Sequence, residues 1–447
     1  MKKVLIICNR FAPMNEIAAV RPTKFAKYLK RAGYDVQVLA EKGETSVKDI
    51  ILEEDKKDIP VTYIEASKWV VSFEKWYQKI TKKYREKHYN DLSSRIRYNK
   101  KIGMEVFYIF EMLHPVLGTM DHLVRWMREL NLAKNARFYL KENANNIDIC
   151  FSSFGWYFGH LCGAYIKKKN SKIRWIADFR DPVYREDYGS WLYRWMGKRY
   201  EDWSCKKSDA IVVVTSTMVR WLPQKFREKV YCITNGYDSE DLRFCEKVDK
   251  SEKLILSYTG RMYGGKQDLS KAFEAVAELI NENLIMREMV EFHYAGTGFG
   301  VFSEQAKKYG IDDMCVNHGS VGRKESLTLQ AESDILLVSA WQYKVNNTGA
   351  FCGKILEYML HRKNILGVMQ GNVKNTEFAI RIRETGIGEV YEEENGKEDF
   401  VKIKNYIQKI YENKCQGIDS TKEIREEVIN EYEYCNLTKK LIEVMEK

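Results

Sequence analysis

The sequence lacks any long uninterrupted hydrophobic run. No segment reaches the roughly 18 to 20 apolar residues that a membrane-spanning helix needs. The amino-terminal stretch MKKVLIICNRFAP is too short, and wrongly flanked, to act as a signal peptide. We therefore expect a protein that stays in the cytoplasm.

Clustered cysteines are also missing. The 10 Cys residues are scattered, with no CxxC pair and no short-range group of Cys and His. This excludes a zinc knuckle and favours reduced thiols. No internal repeat, no low-complexity tract and no known nucleic-acid-binding module stands out, so nucleic acid is not an expected partner.

The length of the chain sets its domain organisation. At 447 residues it is too long for one ordinary hydrophobic core, so we expect two domains of roughly 200 residues each. Hydrophobic residues make up 45% and charged residues 30% of the chain, which is typical of a globular protein with water-exposed surfaces. Two domains leave room for a cleft between them.

The first part of the chain alternates between apolar strands and helical patterns. KKVLIICNRFAP indicates a buried parallel strand, and Phe25, Ala26 and Leu29 recur at helical spacing in the segment that follows. Gly33 ends that helix, and a second strand begins at Val36. Four further short strands are predicted in NIDICFSS, KIRWIADFRDP, DAIVVVTS and KVYCITNGYD.

A second alternating set begins after residue 250 and runs from KLILSYTGRMYGGK to GKILEYMLHRKNILGV. The two sets predict an α/β protein with two Rossmann-like domains that face a central cleft. We place the first domain at residues 1–249 and the second at 250–420. Residues 421–447 are expected to form a carboxyl-terminal helix that packs back on the first domain.

Residues 67–140 interrupt the first set as a helical insertion rich in aromatic and basic residues. From Lys68 to Lys101 there are 11 Lys and Arg but three Asp and Glu, so this segment carries most of the net charge of +10. Six apolar side chains share one predicted helical face, with four lysines beside them: Trp69, Phe73, Trp76, Tyr77, Ile80 and Tyr84, and Lys75, Lys79, Lys82 and Lys83. The pattern fits a surface helix packed on its own domain, an interfacial helix on an anionic membrane, or less well a nucleic-acid patch.

Two glycine turns in the second set could bind phosphate. TGRMYGGK follows a strand and supplies Arg261 and Lys266, two cations that could neutralise a diphosphate. GAFCGKILEYML predicts a helix start whose amides and dipole favour a phosphate beside Lys354, with Glu357 one turn later as a ligand for a ribose diol. Alternatively, Lys354 and Glu357 form an ordinary surface ion pair at i, i+3 spacing.

Taken together, these segments resemble glycosyltransferases of the GT-B type, in particular family 4 in the branch common in polysaccharide assembly. The resemblance covers nearly the whole chain except residues 67–140. It rests on seven pieces in the same order: RFAPMNEIAAVRPTKFAKYLKRAGYDV, SSFGWYFGHLCGAYIKKK, WIADFRDPV, ITNGYD, YTGRMYGGKQDLSKAFEAVAEL, GSVGRKESLTLQAESDILLVSAW and GKILEYMLHRKNILGV.

The resemblance implies roles for individual residues. Arg261 and Lys266 match the pair that holds the donor diphosphate, and Glu357 matches the carboxylate that binds the nucleotide ribose, with Lys354 beside it. The remaining donor-binding positions that it implies are Gly260, Gly319, Val321, Phe351, Cys352 and Gly353. Gly319 and Val321 match the loop that lines the nucleotide base.

The first domain is implied to carry the acceptor side. His160 matches a histidine near the reacting sugar, whereas its local pattern also fits an ordinary helix histidine. Asp178, Arg180 and Asp181 match the segment that lines the acceptor side, and Arg21 is retained in the amino-terminal loop. Asp181 could instead cap the turn before Pro182.

The chain departs from the family pattern in two places. Gly349 stands where many members carry a first glutamate that contacts the hydroxyls of the donor sugar. The amino-terminal loop reads EIAA where a glycine pair is usual, so its backbone cannot copy the usual approach to phosphate. Both departures affect which donor sugar the protein is expected to use, and not the type of reaction.

The resemblance implies a hexosyltransferase that uses a UDP- or GDP-sugar, retains the anomeric configuration and needs no metal or other cofactor. No DxD-type metal motif stands out. The implied acceptor is a glycan, and a polyprenyl-diphosphate-linked one would explain the basic insertion through docking to an anionic membrane. The alternatives are a UDP-sugar epimerase of the same architecture and a non-catalytic assembly partner.

Overall fold

The computed structural model describes residues 1–43, 48–89, 104–184, 190–246, 251–262, 264, 267–341, 353–421 and 423–447, with side chains for all of these except 83–89 and 104–117. Its contacts divide the chain into two compact units. The first unit is Met1–Thr234 with Thr438–Lys447, and the second is Asn235–Leu437.

The first unit is built on a seven-stranded parallel sheet with the order β3-β2-β1-β4-β5-β6-β7. The strands are β1 Lys3–Cys8, β2 Asp35–Glu41, β3 Val61–Ile64, β4 Ile149–Phe154, β5 Arg174–Phe179, β6 Ala210–Val213 and β7 Val230–Cys232. The helices are α1 Ile17–Arg31, α2 Ile50–Asp55, α3 Lys68–Tyr89, α4 Met104–Asn143, α5 Phe158–Lys169, α6 Trp191–Lys207 and α7 Ser216–Trp221.

The second unit is built on a six-stranded parallel sheet with the order β10-β9-β8-β11-β12-β13. The strands are β8 Leu254–Thr259, β9 Val290–Ala295, β10 Cys315–Gly319, β11 Ile335–Trp341, β12 Asn364–Gln370 and β13 Gly388–Glu392. The helices are α8 Ser270–Asn281, α9 Phe299–Lys307, α10 Arg323–Glu332, α11 Gly353–Leu360, α12 Glu377–Glu384, α13 Lys397–Cys415, α14 Glu426–Ile429 and α15 Tyr434–Glu446.

The central strands of both sheets are buried on their two faces, which is why they are mostly apolar instead of alternating. All six residues of β8 and of β4 are buried. Trp175 from β5 is fully buried in the core of the first unit, and Phe273 from α8 packs against Phe292 of β9 in the core of the second. The two predicted Rossmann-like domains are therefore confirmed.

The structure divides the chain earlier than residue 250, where the sequence pattern placed the boundary. The Tyr237 amide donates to the Tyr432 carbonyl at 3.1 Å, and the Tyr434 amide donates to the Tyr237 carbonyl at 2.9 Å. These bonds hold residues 235–246 within the second unit. Helix α15 joins the first unit from Thr438 onward, where the Arg174 side chain donates to the Val444 carbonyl at 3.0 Å.

The insertion is helical in its described parts, as α3 and α4. Val70, Tyr77 and Thr81 of α3 are buried, whereas Trp69 is 61% and Trp76 57% exposed. Tyr77 therefore lies on the inner side of α3 and not with the exposed aromatics. Among the described residues, none of the helices is both long enough and apolar enough to span a bilayer.

Candidate functional site

Three loops meet at the carboxyl ends of β8, β9 and β10 in the second unit. The Met262 amide donates to the Thr297 carbonyl at 2.9 Å, and the Gly296 amide donates to the Gly319 carbonyl at 2.7 Å. The loops therefore form a continuous hydrogen-bonded row. In open parallel sheets, the carboxyl ends of the strands are where ligands bind.

Glycine is required where the first two loops touch. Gly260 has a φ of +117° and Gly296 a φ of +142°, a region that side chains with a Cβ rarely adopt. A Cβ on Gly296 would lie 2.1 Å from the Gly260 carbonyl oxygen. Gly260, one of the implied donor-binding positions, thus lies in a turn whose backbone packs directly against the loop at Gly296.

Two tyrosines fix these loops from below, and sequence reasoning did not identify them. The Tyr294 hydroxyl donates to the carbonyls of Gly260 and Thr297, at 3.1 and 2.7 Å. The Tyr258 ring stacks on Tyr294 with 5.7 Å between centroids, and its hydroxyl donates to the Arg261 carbonyl at 3.0 Å. The sequence signal for both was a tyrosine at the penultimate position of its strand.

Lys354 lies beside the same turn. Its amine is 3.7 Å from the centroid of the Tyr258 ring and donates to the Tyr258 hydroxyl. A Cβ on Gly260 would lie 3.0 Å from that amine. A cation is therefore held against the backbone of the β8 turn at the start of α11, as a diphosphate site requires.

Glu357 lies one turn further along α11, half-buried. Its carboxylate accepts from the Gln330 side chain at 2.6 Å, and its second oxygen is 4.0 Å from the Arg323 guanidinium. Arg323 is itself paired with Asp241 at 3.1 Å. Gln330 and Arg323, two side chains of α10, thus orient the Glu357 carboxylate.

The other predicted donor-side positions differ in what the structure shows of them. Gly353 begins α11, Gly319 ends β10 with a φ of +69°, and Val321 follows in the loop before α10. The exposed Arg261 donates to the Thr297 hydroxyl at 3.2 Å. Lys266, Gly349, Phe351 and Cys352 lie outside the described residues.

In the first unit, Arg21 and Asp178 form a buried ion pair with a distance of 2.8 Å. Arg21 also donates to the carbonyls of Ile233 and Thr234, and Asp178 accepts from the Ser153 hydroxyl at 2.7 Å. Because these side chains are buried and paired with each other, they hold α1 and the end of β7 to the sheet. The geometry gives them a positioning role.

Arg180 and Asp181 lie at the accessible end of β5. Arg180 is half-buried and donates to the carbonyl of Phe154 at 3.2 Å and to that of Ala18. Asp181 is exposed, and among the described residues it has no hydrogen-bond partner, so it does not cap the turn before Pro182. A bound acceptor could therefore contact the Asp181 carboxylate without breaking an existing bond.

His160 is fully buried in the first turn of α5. The Trp175 indole donates to the Ser152 hydroxyl at 2.7 Å, and that hydroxyl lies 2.8 Å from His160 Nδ1. Burial lowers the pKa of His160 to about 3, so the ring is neutral at physiological pH. Its Nε2 atom has no partner among the described residues, which leaves a polar atom for a ligand that reaches this position.

Helix α4 packs beside the helix that carries His160, although the sequence pattern identified residues 67–140 only as an insertion. The Glu129 carboxylate is buried and accepts from the Phe158 amide at 2.9 Å, at the start of the helix that carries His160. It also accepts from the Asn9 side chain at 3.0 Å, and Asn9 donates to Glu41 at 3.0 Å. No local sequence signal connects residue 129 with residues 9 and 158.

Replacing Glu129 with glutamine is expected to change how stability depends on pH. Burial and the nearby charge of Glu41 raise the pKa of Glu129 from 4.5 to about 7. Between these values the folded protein keeps a proton that the unfolded chain releases, so the wild type loses stability as pH rises through this window. Glu129→Gln should avoid that loss, about 3 kcal/mol at most.

Urea unfolding at pH 5 and pH 8 measures the difference. We expect the free energy of unfolding of Glu129→Gln, relative to the wild type, to be larger at pH 8 than at pH 5. Glu142→Gln, a substitution further along α4, serves as the control and should show no such change. Equal pH dependence in wild type and Glu129→Gln would contradict a raised pKa.

Comparisons with known proteins agree with this architecture. Residues 110–241 match the model of the family described as Glycosyltransferase Family 4. No curated protein sequence matches the chain. The solved structures that are similar share little sequence, so they establish the fold alone.

Three of these structures show the range of proteins with this fold. The sucrose-phosphate synthase of Thermosynechococcus elongatus is 12% identical with a TM-score of 0.61, over 100% of this chain and 98% of that one. WaaG, a glycosyltransferase involved in lipopolysaccharide biosynthesis, is 13% identical with a TM-score of 0.55, over 99% of both chains. A structure described as a UDP-N-acetylglucosamine 2-epimerase from Listeria monocytogenes is 11% identical with a TM-score of 0.54, over 99% of this chain and 95% of that one.

The fold confirms the GT-B architecture that the sequence resembles, and part of the chain also matches the family model. The match to the family model covers the second half of the insertion and the segment from β4 to residue 241, which includes His160 and the loop after β5. The two parallel sheets are those of the GT-B architecture. The chain therefore has the GT-B fold, and residues 110–241 are similar to Glycosyltransferase Family 4.

Proposed function

We propose that this protein is a glycosyltransferase that moves a hexosyl group from a UDP- or GDP-sugar to a hydroxyl of a glycan acceptor in polysaccharide assembly. The observation that carries the proposal is the arrangement at the start of α11. There, Lys354 lies against the glycine turn after β8, and Glu357 presents an oriented carboxylate one turn away. A cation for a diphosphate and a carboxylate for a ribose diol are thus held by one helix.

In the proposed reaction, the bond between the anomeric carbon and the diphosphate breaks, and a bond to the acceptor oxygen forms on the same face of the sugar. The acceptor proton passes to the leaving phosphate oxygen. Negative charge develops on the diphosphate, and Arg261, Lys354 and the amides at the start of α11 stabilise it, together with the predicted Lys266. These cations would carry out a role that a metal ion has in other enzymes.

His160 and Asp181 are proposed to act on the side of the first unit. The neutral His160 ring has an unpaired Nε2 atom, which could contact a hydroxyl of the transferred sugar. The exposed Asp181 carboxylate could accept a hydrogen bond from the acceptor. Asp178 and Arg21 would support this surface from beneath, since both are buried in an ion pair.

We further propose that the acceptor is linked to a lipid, such as a polyprenyl diphosphate, and that α3 docks on the cytoplasmic membrane surface. Trp69, Phe73, Trp76 and Ile80 are exposed on α3. Lys68, Lys75 and Lys79 are exposed on the same helix, and among the described residues they have no acidic partner. Aromatic residues beside unpaired lysines are typical of helices that bind anionic lipid surfaces.

Replacing Glu357 with alanine tests the donor site. Isothermal titration of the full chain with UDP, GDP, ADP and CMP should show selective binding of one uridine or guanosine diphosphate. Hydrogen bonds to a charged group contribute about 1.5 to 3 kcal/mol, so Glu357→Ala should weaken that binding by about 10- to 100-fold.

Glu398→Ala removes an exposed carboxylate of α13 and is the matched control. It should bind the nucleotide as the wild type does. Failure of the wild type to bind any of the four nucleotides would favour a non-catalytic assembly partner. Equal affinity in Glu357→Ala and the wild type would show that the ribose is not held at α11.

A further inference from the structure

Trp156, Tyr157 and Phe158 follow β4 shortly along the chain, and each of them contacts the same face of α4. The Tyr157 hydroxyl lies 3.1 Å from His122 Nε2, and the Phe158 amide donates to Glu129 at 2.9 Å. Between them, the Arg125 guanidinium lies 3.7 Å from the centroid of the Trp156 ring. His122, Arg125 and Glu129 are spaced three and four residues apart, so they lie on one side of the helix.

Trp156 differs from its two neighbours because it is not buried. Tyr157 and Phe158 are almost completely covered, whereas the Trp156 side chain keeps 37% of its surface exposed. Arg125 covers one face of the indole. The contact with Arg125 restricts the rotamers of Trp156 before any ligand binds. A ligand that stacks on the ring therefore loses little binding free energy to ordering this side chain.

The ring lies at the edge of the sheet where open parallel sheets bind ligands. Trp156 follows the carboxyl end of β4 and comes four residues before His160. The neighbouring Gly155 lies so close to Arg180 that a Cβ there would be 2.8 Å from its guanidinium. An apolar surface is thus bordered by the polar groups of the loop after β5.

We propose that the exposed face of Trp156 is an acceptor subsite that stacks against the C–H face of a pyranose ring. The face of an aromatic ring is electron-rich and attracts the weakly positive hydrogens of such a ring, while sugar hydroxyls at its rim bind polar neighbours such as Arg180. This inference rests on the proposed function, and it assigns the acceptor sugar to a residue that the family resemblance left without a role.

A polyisoprenyl chain is a poorer fit for this surface. A long hydrocarbon needs a continuous apolar strip, and burying the charged Arg125 and Arg180 beneath it would be costly. The exposed aromatic face of α3 offers that strip instead. The two surfaces therefore suit different parts of one lipid-linked acceptor, the sugar at Trp156 and the membrane-proximal part at α3.

Saturation-transfer NMR on the full chain tests the subsite. The probes are the methyl glycosides of glucose, galactose, mannose and N-acetylglucosamine, each added with the nucleotide that the protein binds. We expect at least one glycoside to receive saturation mainly on the hydrogens of one ring face. Trp156→Ala should weaken its binding about tenfold, and Trp156→Phe should restore part of the loss.

Trp195→Ala is the matched control, because Trp195 is also exposed and also lies near an arginine, Arg199, at 5.7 Å. It should bind the glycoside as the wild type does. Wild-type binding of none of the four glycosides, or equal binding by Trp156→Ala, would overturn the inference. Nucleotide titration of the same samples separates the failures, since absence of nucleotide binding contradicts the proposed function, and its presence leaves only the subsite in question.

Discussion

Replacing Lys354 with alanine is expected to lower kcat/KM for the nucleotide sugar by about 100- to 1000-fold. Removing one preorganised group that stabilises developing charge typically has an effect of this size. In the structure, the Lys354 amine is held over the Tyr258 ring and next to Gly260, so its position is fixed before the donor binds. The change in kcat/KM is measured from the initial rate at which the nucleoside diphosphate is released, at several donor concentrations.

Lys402→Ala is the control for this prediction. Lys402 is an exposed residue of α13 in the same unit and pairs with the exposed Glu398 and the buried Asp399. Its removal should change kcat/KM by less than twofold. The melting temperature of each variant shows whether Lys354→Ala remains folded. A folded Lys354→Ala protein with wild-type kcat/KM would rule out a role for this amine in leaving-group stabilisation.

Reversing the charge of the exposed lysines on α3 is expected to release the protein from anionic membranes. Each lysine near such a surface contributes about 1 kcal/mol, so Lys68→Glu, Lys75→Glu and Lys79→Glu together should weaken binding at least 100-fold. Co-sedimentation with vesicles of phosphatidylglycerol and phosphatidylcholine measures the bound fraction. Binding of the wild type should also fall as salt is raised, because the attraction is screened.

The matched control makes the same change of charge elsewhere on the first unit. Lys168, Lys172 and Lys206 are exposed on or beside other helices, and their triple substitution by glutamate should leave most of the binding intact. Equal loss in both triple variants would show that net charge, and not α3, governs association. Unchanged binding of the α3 variant would contradict the docking proposal outright.

The sequence was sufficient to predict the features that depend on local pattern. Runs of apolar residues predicted the two parallel sheets. Glycines and a cation after a strand predicted the turn at Gly260. The local pattern also predicted the helix start that carries Lys354 and Glu357, and α11 begins there at Gly353. Such features can be predicted locally, because a few consecutive residues determine whether a strand is buried and where the chain turns.

The features that sequence reasoning missed depend on contacts between distant segments. Glu129 meets Asn9 and Phe158 only because α4 lies across the strand ends of the first sheet. The burial of Arg21 with Asp178 could not be read from either segment alone. In α3, the helical pattern gave a broad apolar face, but only packing shows that Tyr77 turns inward while Trp76 stays exposed.

The most direct test of the account is to follow nucleotide sugars by phosphorus NMR in the presence of the full chain. UDP-glucose, UDP-galactose, UDP-N-acetylglucosamine and GDP-mannose are incubated one at a time, with octyl glycosides as acceptors, and with Lys354→Ala in parallel. A glycosyltransferase should convert one of these donors to free UDP or GDP, and Lys354→Ala should not. Conversion of a donor to a second nucleotide sugar would indicate an epimerase, and four unchanged donors would contradict the account.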